Sequence, residues 1–133
     1  MNRLARTLLL SLALVGVAAC SSKPVQNIEQ TAPASSVRSD AEMQKAIVSA
    51  LNQRGWQVQR IDSDQVLAKI TVRGRHEAEI TIPYSATQFG IQYRHSRGLD
   101  YQDGKIHRNY NKWVILLRDN ILQNLQGNSL SLN

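Results

Sequence analysis

Apolar and polar positions alternate with two different periods along residues 39–125, and the change of period divides that stretch into elements. Met43, Ala46, Ile47, Ala50 and Leu51 recur at helical spacing. Ser39-Asp40-Ala41-Glu42 precedes them with the spacing of a capping box. Gly55 is placed to end the helix in the left-handed conformation, and Trp56 to close that end against the preceding turn. This predicts a helix over about 40–53. The period then falls to two. Val66, Ala68, Ile70 and Val72 share one face of a predicted strand, with Lys69, Thr71 and Arg73 on the other. Ala78, Ile80, Ile82 and Tyr84 do the same against Glu77, Glu79 and Thr81. Gln57–Ile61 forms a short strand before them, although Val58 and Ile61 differ in parity, and Phe89, Ile91 and Tyr93 mark a fourth strand. One apolar and one polar face imply an antiparallel sheet covered on one side.

Keeping the faces sorted restricts the register. Val72 is expected opposite Ala78, Ile70 opposite Ile80 and Arg73 opposite Glu77, with Gly74-Arg75-His76 as the loop. Tyr84 then pairs with Phe89, Ile82 with Ile91 and Glu79 with Arg94. The last element is a helix over about 109–125, capped by Asn109, with Tyr110, Trp113, Val114, Leu117, Ile121 and Leu125 as its apolar stripe and Gly127 at its end. The expected fold is a two-layer α+β domain. It is a four-stranded antiparallel meander with one helix before and one after, both on the same sheet face, in the order α-β-β-β-β-α.

The N-terminal residues have another pattern. Arg3 and Arg6 precede the apolar run Leu8–Val17, and the small residues Ala18 and Ala19 follow. This is the build of a secretory signal peptide. The run is about ten residues, short of the roughly 20 needed to span a bilayer. Val17-Ala18-Ala19-Cys20 resembles the lipobox of bacterial lipoproteins, with Val17 where Leu is commoner. The resemblance implies cleavage after Ala19, a diacylglycerol thioether on Cys20 and an acyl chain on its new amine; no other cofactor is expected. Two or three chains make a stable membrane anchor. The alternatives are an inert thiol at Cys20 or cleavage nearby by another peptidase. Ser21 and Ser22, with no Asp at position 21, resemble the signal for the outer membrane. The expected location is therefore the periplasmic side of that membrane.

Composition adjusts this picture in three ways. Cys20 is the single cysteine, so the domain has no internal disulfide. Loss of Arg3 and Arg6 with the leader lowers the formal charge from +6 to +4, a moderate excess that is no nucleic-acid signature. Residues 21–38 are rich in Ser, Pro, Gln and Ala without periodicity, and read as a disordered tether. Such a tether spans at most about 60 Å stretched and roughly 23 Å as a coil. The expected organisation is leader 1–19, lipidated Cys20 and tether 20–38, folded domain 39–125 and frayed tail 126–133.

Ser96-Arg97-Gly98-Leu99-Asp100-Tyr101 and the run from Ile106-His107 through Tyr110-Asn111-Lys112-Trp113 resemble a group of small bacterial lipoproteins of unknown function. These share a Gly-Trp after the first helix, here Gly55-Trp56, and end in a segment like S-x-x-L-x-Y…I-H-x-N-Y-N-x-W-V-x-x-L. The likeness covers roughly residues 39–125 and carries no reaction with it. Read physically, the motif has two meanings. Leu99, Tyr101 and Ile106 pin a loop to the sheet, while His107, Asn109 or Asn111 partner the polar tips of Tyr110 and Trp113 or cap the helix. Alternatively, Tyr101, His107 and Arg108 belong to a recognition loop.

The meander also gathers basic residues at one end of the sheet: Arg54, Arg73, Arg75, His76, Arg94, His95, Arg97 and Arg108, with Asp62 and Asp64 at the other end. Such a pole meets lipid phosphates, lipopolysaccharide or an acidic partner, or is a solvated rim partly neutralised by Glu77 and Glu79. The alternative from another class, a hydrolase acting on envelope polymers, has little support. Neither Ser-x-x-Lys nor Gly-x-Ser-x-Gly is present, and His76 with His95 on adjacent strands makes a weak metal site. The expected role is non-enzymatic: a membrane-anchored module that binds an envelope protein or acts structurally.

Overall fold

The computed structural model describes residues 21–35 and 39–130. The expected leader and Cys20 lie outside them. The chain order is β1 (Ser22–Pro24), β2 (Ile28–Thr31), α1 (Asp40–Gln53), β3 (Gln57–Ile61), β4 (Gln65–Val72), β5 (His76–Pro83), β6 (Gln88–Arg97), β7 (Lys105–His107) and α2 (Arg108–Leu130). A five-stranded antiparallel sheet runs in the order β2-β6-β5-β4-β3, and β1 pairs with β7 in a separate ribbon. The α+β class and the helix pair agree with the hydrophobic pattern. The four-stranded meander does not, because β2 joins it as a fifth strand and β1 and β7 form a ribbon of their own.

Helix α1 ends as its sequence requires. The Ser39 hydroxyl accepts from the Glu42 amide at 3.1 Å. At the other end the Trp56 amide donates to Leu51 O at 2.8 Å and that of Gly55 (φ 79°) to Asn52 O, a Schellman closure. Met43, Ala46, Ile47, Ala50 and Leu51 are all buried. They share one core with Val66, Ala68, Ile80, Ile82 and Ile91 of the sheet and Tyr110, Val114, Leu117, Ile121 and Leu125 of α2. Between the helices Asn120 donates to Gln53 Oε1 (2.7 Å) and accepts from Arg54 Nε (2.9 Å).

The registers differ instructively from expectation. Tyr84 does lie opposite Phe89, and the same offset continues to Ile80 opposite Tyr93. Beyond that a bulge absorbs Arg94, so Glu79 faces His95 rather than Arg94. In the preceding hairpin Val72 faces His76 and Thr71 faces Glu77, a shift of two from the expected pairing. Two residues keep the same faces sorted, so alternation alone cannot detect the shift. The turn decides it. Arg73 (φ 55°) and Gly74 (φ 67°) both take the left-handed conformation, and the Arg75 amide donates to Val72 O. That is the geometry of a tight hairpin turn, centred one residue before the expected loop. A bulge between Val58 and Arg60 likewise resolves the parity conflict in β3.

Helix α2 starts one residue early and runs past Gly127 to Leu130, so neither the Asn109 cap nor the stop at Gly127 holds. His107 takes the capping position, its Nδ1 accepting from the Asn109 amide at 3.2 Å. The largest correction concerns residues 21–35. They form no free tether: Ile28–Thr31 pairs with β6, Ser22–Pro24 pairs with β7, and Ile28 and Ala32 are buried.

Candidate functional site

The basic residues converge at the end of the molecule where β4 finishes, β5 starts and β6 finishes. Arg73 and Arg75 stand on the hairpin turn, both exposed. Neither forms an ion pair within the described residues. The turn packs on the loop after β6. A Cβ on Gly98 (φ 72°) would collide with the Arg75 carbonyl oxygen, so only glycine fits there. The carbonyl of Gly98 also bonds His76 Nδ1 at 2.8 Å. Glu77 is the acidic group among these residues, lying 3.7 Å from Lys69 Nζ and 3.5 Å from Arg97. The Arg97 side chain remains 63% exposed, so this pair is well solvated and weak.

One residue after Gly98, the carbonyl of Leu99 accepts from the His107 amide at 2.8 Å. The next amide, that of Arg108, donates to the carbonyl of Ser21 at 2.8 Å. A continuous path of contacts therefore links Arg75, Gly98, Leu99, His107, Arg108 and Ser21. Helix α2 begins at the same place with no acidic residue in its first turn. The positive end of its dipole adds to the arginines. Asp100 lies on the adjoining loop, where it lines a shallow depression with Ser21, Ser22, Gln102, Asp103 and Lys105.

Below this end the N-terminal strap is clasped by two asparagines. Asn111 Nδ2 donates to Pro24 O (2.9 Å), and its Oδ1 accepts from the Gln26 amide (3.0 Å). Asn27 Oδ1 accepts from the Tyr93 amide (2.9 Å), and the Val25 amide donates to Gly104 O (2.8 Å). Tyr101 is 48% exposed and stacks on Tyr93 with centroids 4.5 Å apart; Tyr110 meets Tyr93 edge-on. The Tyr110 hydroxyl is buried without a partner, and burial first, then the neighbouring Tyr93, hold its phenol protonated well above the ordinary range. Thus Asn109 and Asn111 do not serve Tyr110.

Of the basic residues read together from the sequence, the fold gathers Arg73, Arg75, Arg97 and Arg108. Arg54 departs to Asn120, twelve positions along α2 from its start. Arg94 turns to the helix-free face, where its guanidinium donates to Gln59, which itself donates to Glu79 (3.1 Å). His76 and His95 do not meet, since His95 faces Glu79 and His76 bonds Gly98. Among the described residues no three His, Cys, Asp or Glu side chains come together as metal ligands. None of the described helices is long and apolar enough to cross a membrane. The hydrophobic pattern does not reveal Asn27, Asn111 or the Ser21 carbonyl. The apolar Val25, Ile28 and Ala32 are the signal available for the strap, too sparse to show a period.

At the far end, Glu29, Asp64, Pro83, Tyr84, Gln88 and Gln92 are among the residues lining an open depression of about 500 Å³. The two ends thus differ in charge. Compared with known protein families, curated proteins and solved structures, the chain matches none.

Proposed function

We propose that this is a lipid-anchored envelope protein, acylated at Cys20, whose folded part acts by binding as an accessory module on the periplasmic side of the outer membrane. The lipobox-like Val17-Ala18-Ala19-Cys20 and the following Ser21-Ser22 support the anchor and its destination. The observation that carries the reading furthest is the bond from the Arg108 amide to the Ser21 carbonyl. The residue next to Cys20 is part of the fold, so an acyl group on Cys20 would fix the domain's position as well as its compartment. The role proposed is non-enzymatic, in keeping with a sequence that carries neither Ser-x-x-Lys nor Gly-x-Ser-x-Gly. The envelope protein or surface it serves meets it through exposed groups such as Tyr101 and the arginines.

Metabolic labelling with an alkyne palmitate, followed by membrane fractionation, tests this. The chain should be labelled and sediment with the outer membrane, and Cys20→Ser should abolish both. An unlabelled wild-type chain found in the soluble fraction would overturn the proposal.

A further inference from the structure

The acylation of Cys20 proposed above has a geometric consequence. We infer that the pole formed by Arg73, Arg75, Arg97 and Arg108 lies against the phosphate headgroups of the leaflet that holds the acyl chains, and orients the domain there. The path of the chain carries the inference. Strand β2 pairs antiparallel with β6, with Thr31 opposite Gln88 and Ile28 opposite Ile91. Followed backwards, the strap therefore climbs along β6, through Asn27 at the Tyr93 amide, towards the end of that strand. It then pairs with β7, with Pro24 opposite Lys105 and Ser22 opposite His107. Ser21, where the described strap begins, accepts from the Arg108 amide. Cys20 is one Cα step beyond, about 3.8 Å. Ser21 lies at the basic end, so the covalent bond to Cys20 ties the acyl chains to that end.

The chemistry suits a phosphate surface. Arginine makes paired, charge-assisted bonds to phosphate oxygens. Arg73 and Arg75 have no acidic partner within the described residues, and Glu77 engages Arg97 only at 3.5 Å. The opposing carboxylates at this end are Glu77, Asp100 and Asp103, fewer than the four arginines with Lys105 beside them. Each basic side chain near an anionic bilayer surface adds about fivefold to partitioning. Four arginines held within reach by the anchor are enough to choose one orientation. The far depression, with Glu29 and Asp64, then points away from the bilayer.

The test places a photoreactive residue in the full-length chain in cells, at Arg75 for the pole and at Ser63 or Thr87 for the far end, alongside palmitate labelling. Phospholipid adducts at position 75 should exceed those at 63 and 87 by roughly tenfold or more. Adding Arg73→Gln and Arg108→Gln should lower the yield at 75 by about 20-fold at unchanged palmitate label. Equal lipid adducts at both ends, or protein adducts alone at 75, in a labelled chain would overturn the orientation and leave the anchor standing. Absence of the palmitate label would overturn the anchor itself.

Discussion

The β4–β5–β6 meander and the N-terminal strap are both antiparallel ladders, yet different forces hold them. Alternate residues through the middle of β4 and β5 enter the core with Ile91 of β6, and Val66, Ala68, Ala78, Ile80, Ile82 and Ile91 are all fully buried. The strap contributes Ile28 and Ala32 to that core, with Val25 partly buried against it. Its remaining attachment is polar: the ladders to β6 and β7, the side-chain amides of Asn27 and Asn111, and backbone bonds to Gly104, Thr87 and Arg108. Burial is worth about 1.5–3 kcal/mol per large apolar side chain, while a hydrogen bond contributes about 1 kcal/mol net. The meander is therefore the body of the domain. The strap is a fastening that can be loosened separately, and it alone connects the body to the proposed anchor.

The contrast can be broken at its strongest points first. Gly98→Val forces a side chain onto the Arg75 carbonyl at a positive φ, and should cost about 3–5 kcal/mol. Thermal denaturation by circular dichroism reads it, and a shift under about 2 °C would contradict the close packing. Ile80→Ala should cost about 3–4 kcal/mol and Ile28→Ala about 2–3. The two should differ in kind as well as size. The first lowers the global midpoint, while the second chiefly frees residues 22–31 to proteolysis. Equal effects on both readouts would show that strap and meander are one unit.

Smaller effects sharpen the same contrast. Asn111→Ala removes both bonds of its clasp and should cost about 1–2 kcal/mol, seen as faster amide exchange at Gln26 with α1 unchanged. Tyr110→Phe deletes a hydroxyl that has no partner and should be neutral or stabilising by up to about 1 kcal/mol. The folded chain holds this phenol protonated above its ordinary value. The unfolded chain releases that proton from about pH 10. Stability is therefore undiminished below that pH and falls above it. Denaturant midpoints between about pH 9 and 11 should fall more steeply for the wild type than for Tyr110→Phe.

The features legible in the sequence follow from local physics. The capping and closure of α1, and the offset that sets Tyr84 opposite Phe89, rest on neighbours in sequence and on alternation. The β4–β5 register departs by two because two-residue shifts leave the pattern intact, and the left-handed Arg73 that fixes the turn has an ordinary side chain. The strap is hidden for a different reason. Ser-Lys-Pro-Val-Gln-Asn-Ile-Glu-Gln-Thr lacks a period, and its attachment depends on asparagines whose partners are 66 to 87 residues away. The candidate site is half legible on the same grounds. Topology places Arg73, Arg75 and Arg97 together, but the position of Ser21 beside them depends on the Arg108–Ser21 bond.

Residues 21–32 belong to the fold, and Ser21 at their start lies at the basic pole. Hydrogen exchange on the full-length protein, followed at the amides of Val25, Ala32, Tyr93 and Arg108, tests it most directly. Each donates to a defined acceptor across the strap, and each should exchange at least about 100-fold more slowly than an unstructured amide, as an opening free energy near 3 kcal/mol requires. Exchange at the unstructured rate at Val25, Ala32 and Arg108, with α1 and β5 still protected, would make residues 21–32 the free tether that their composition suggests.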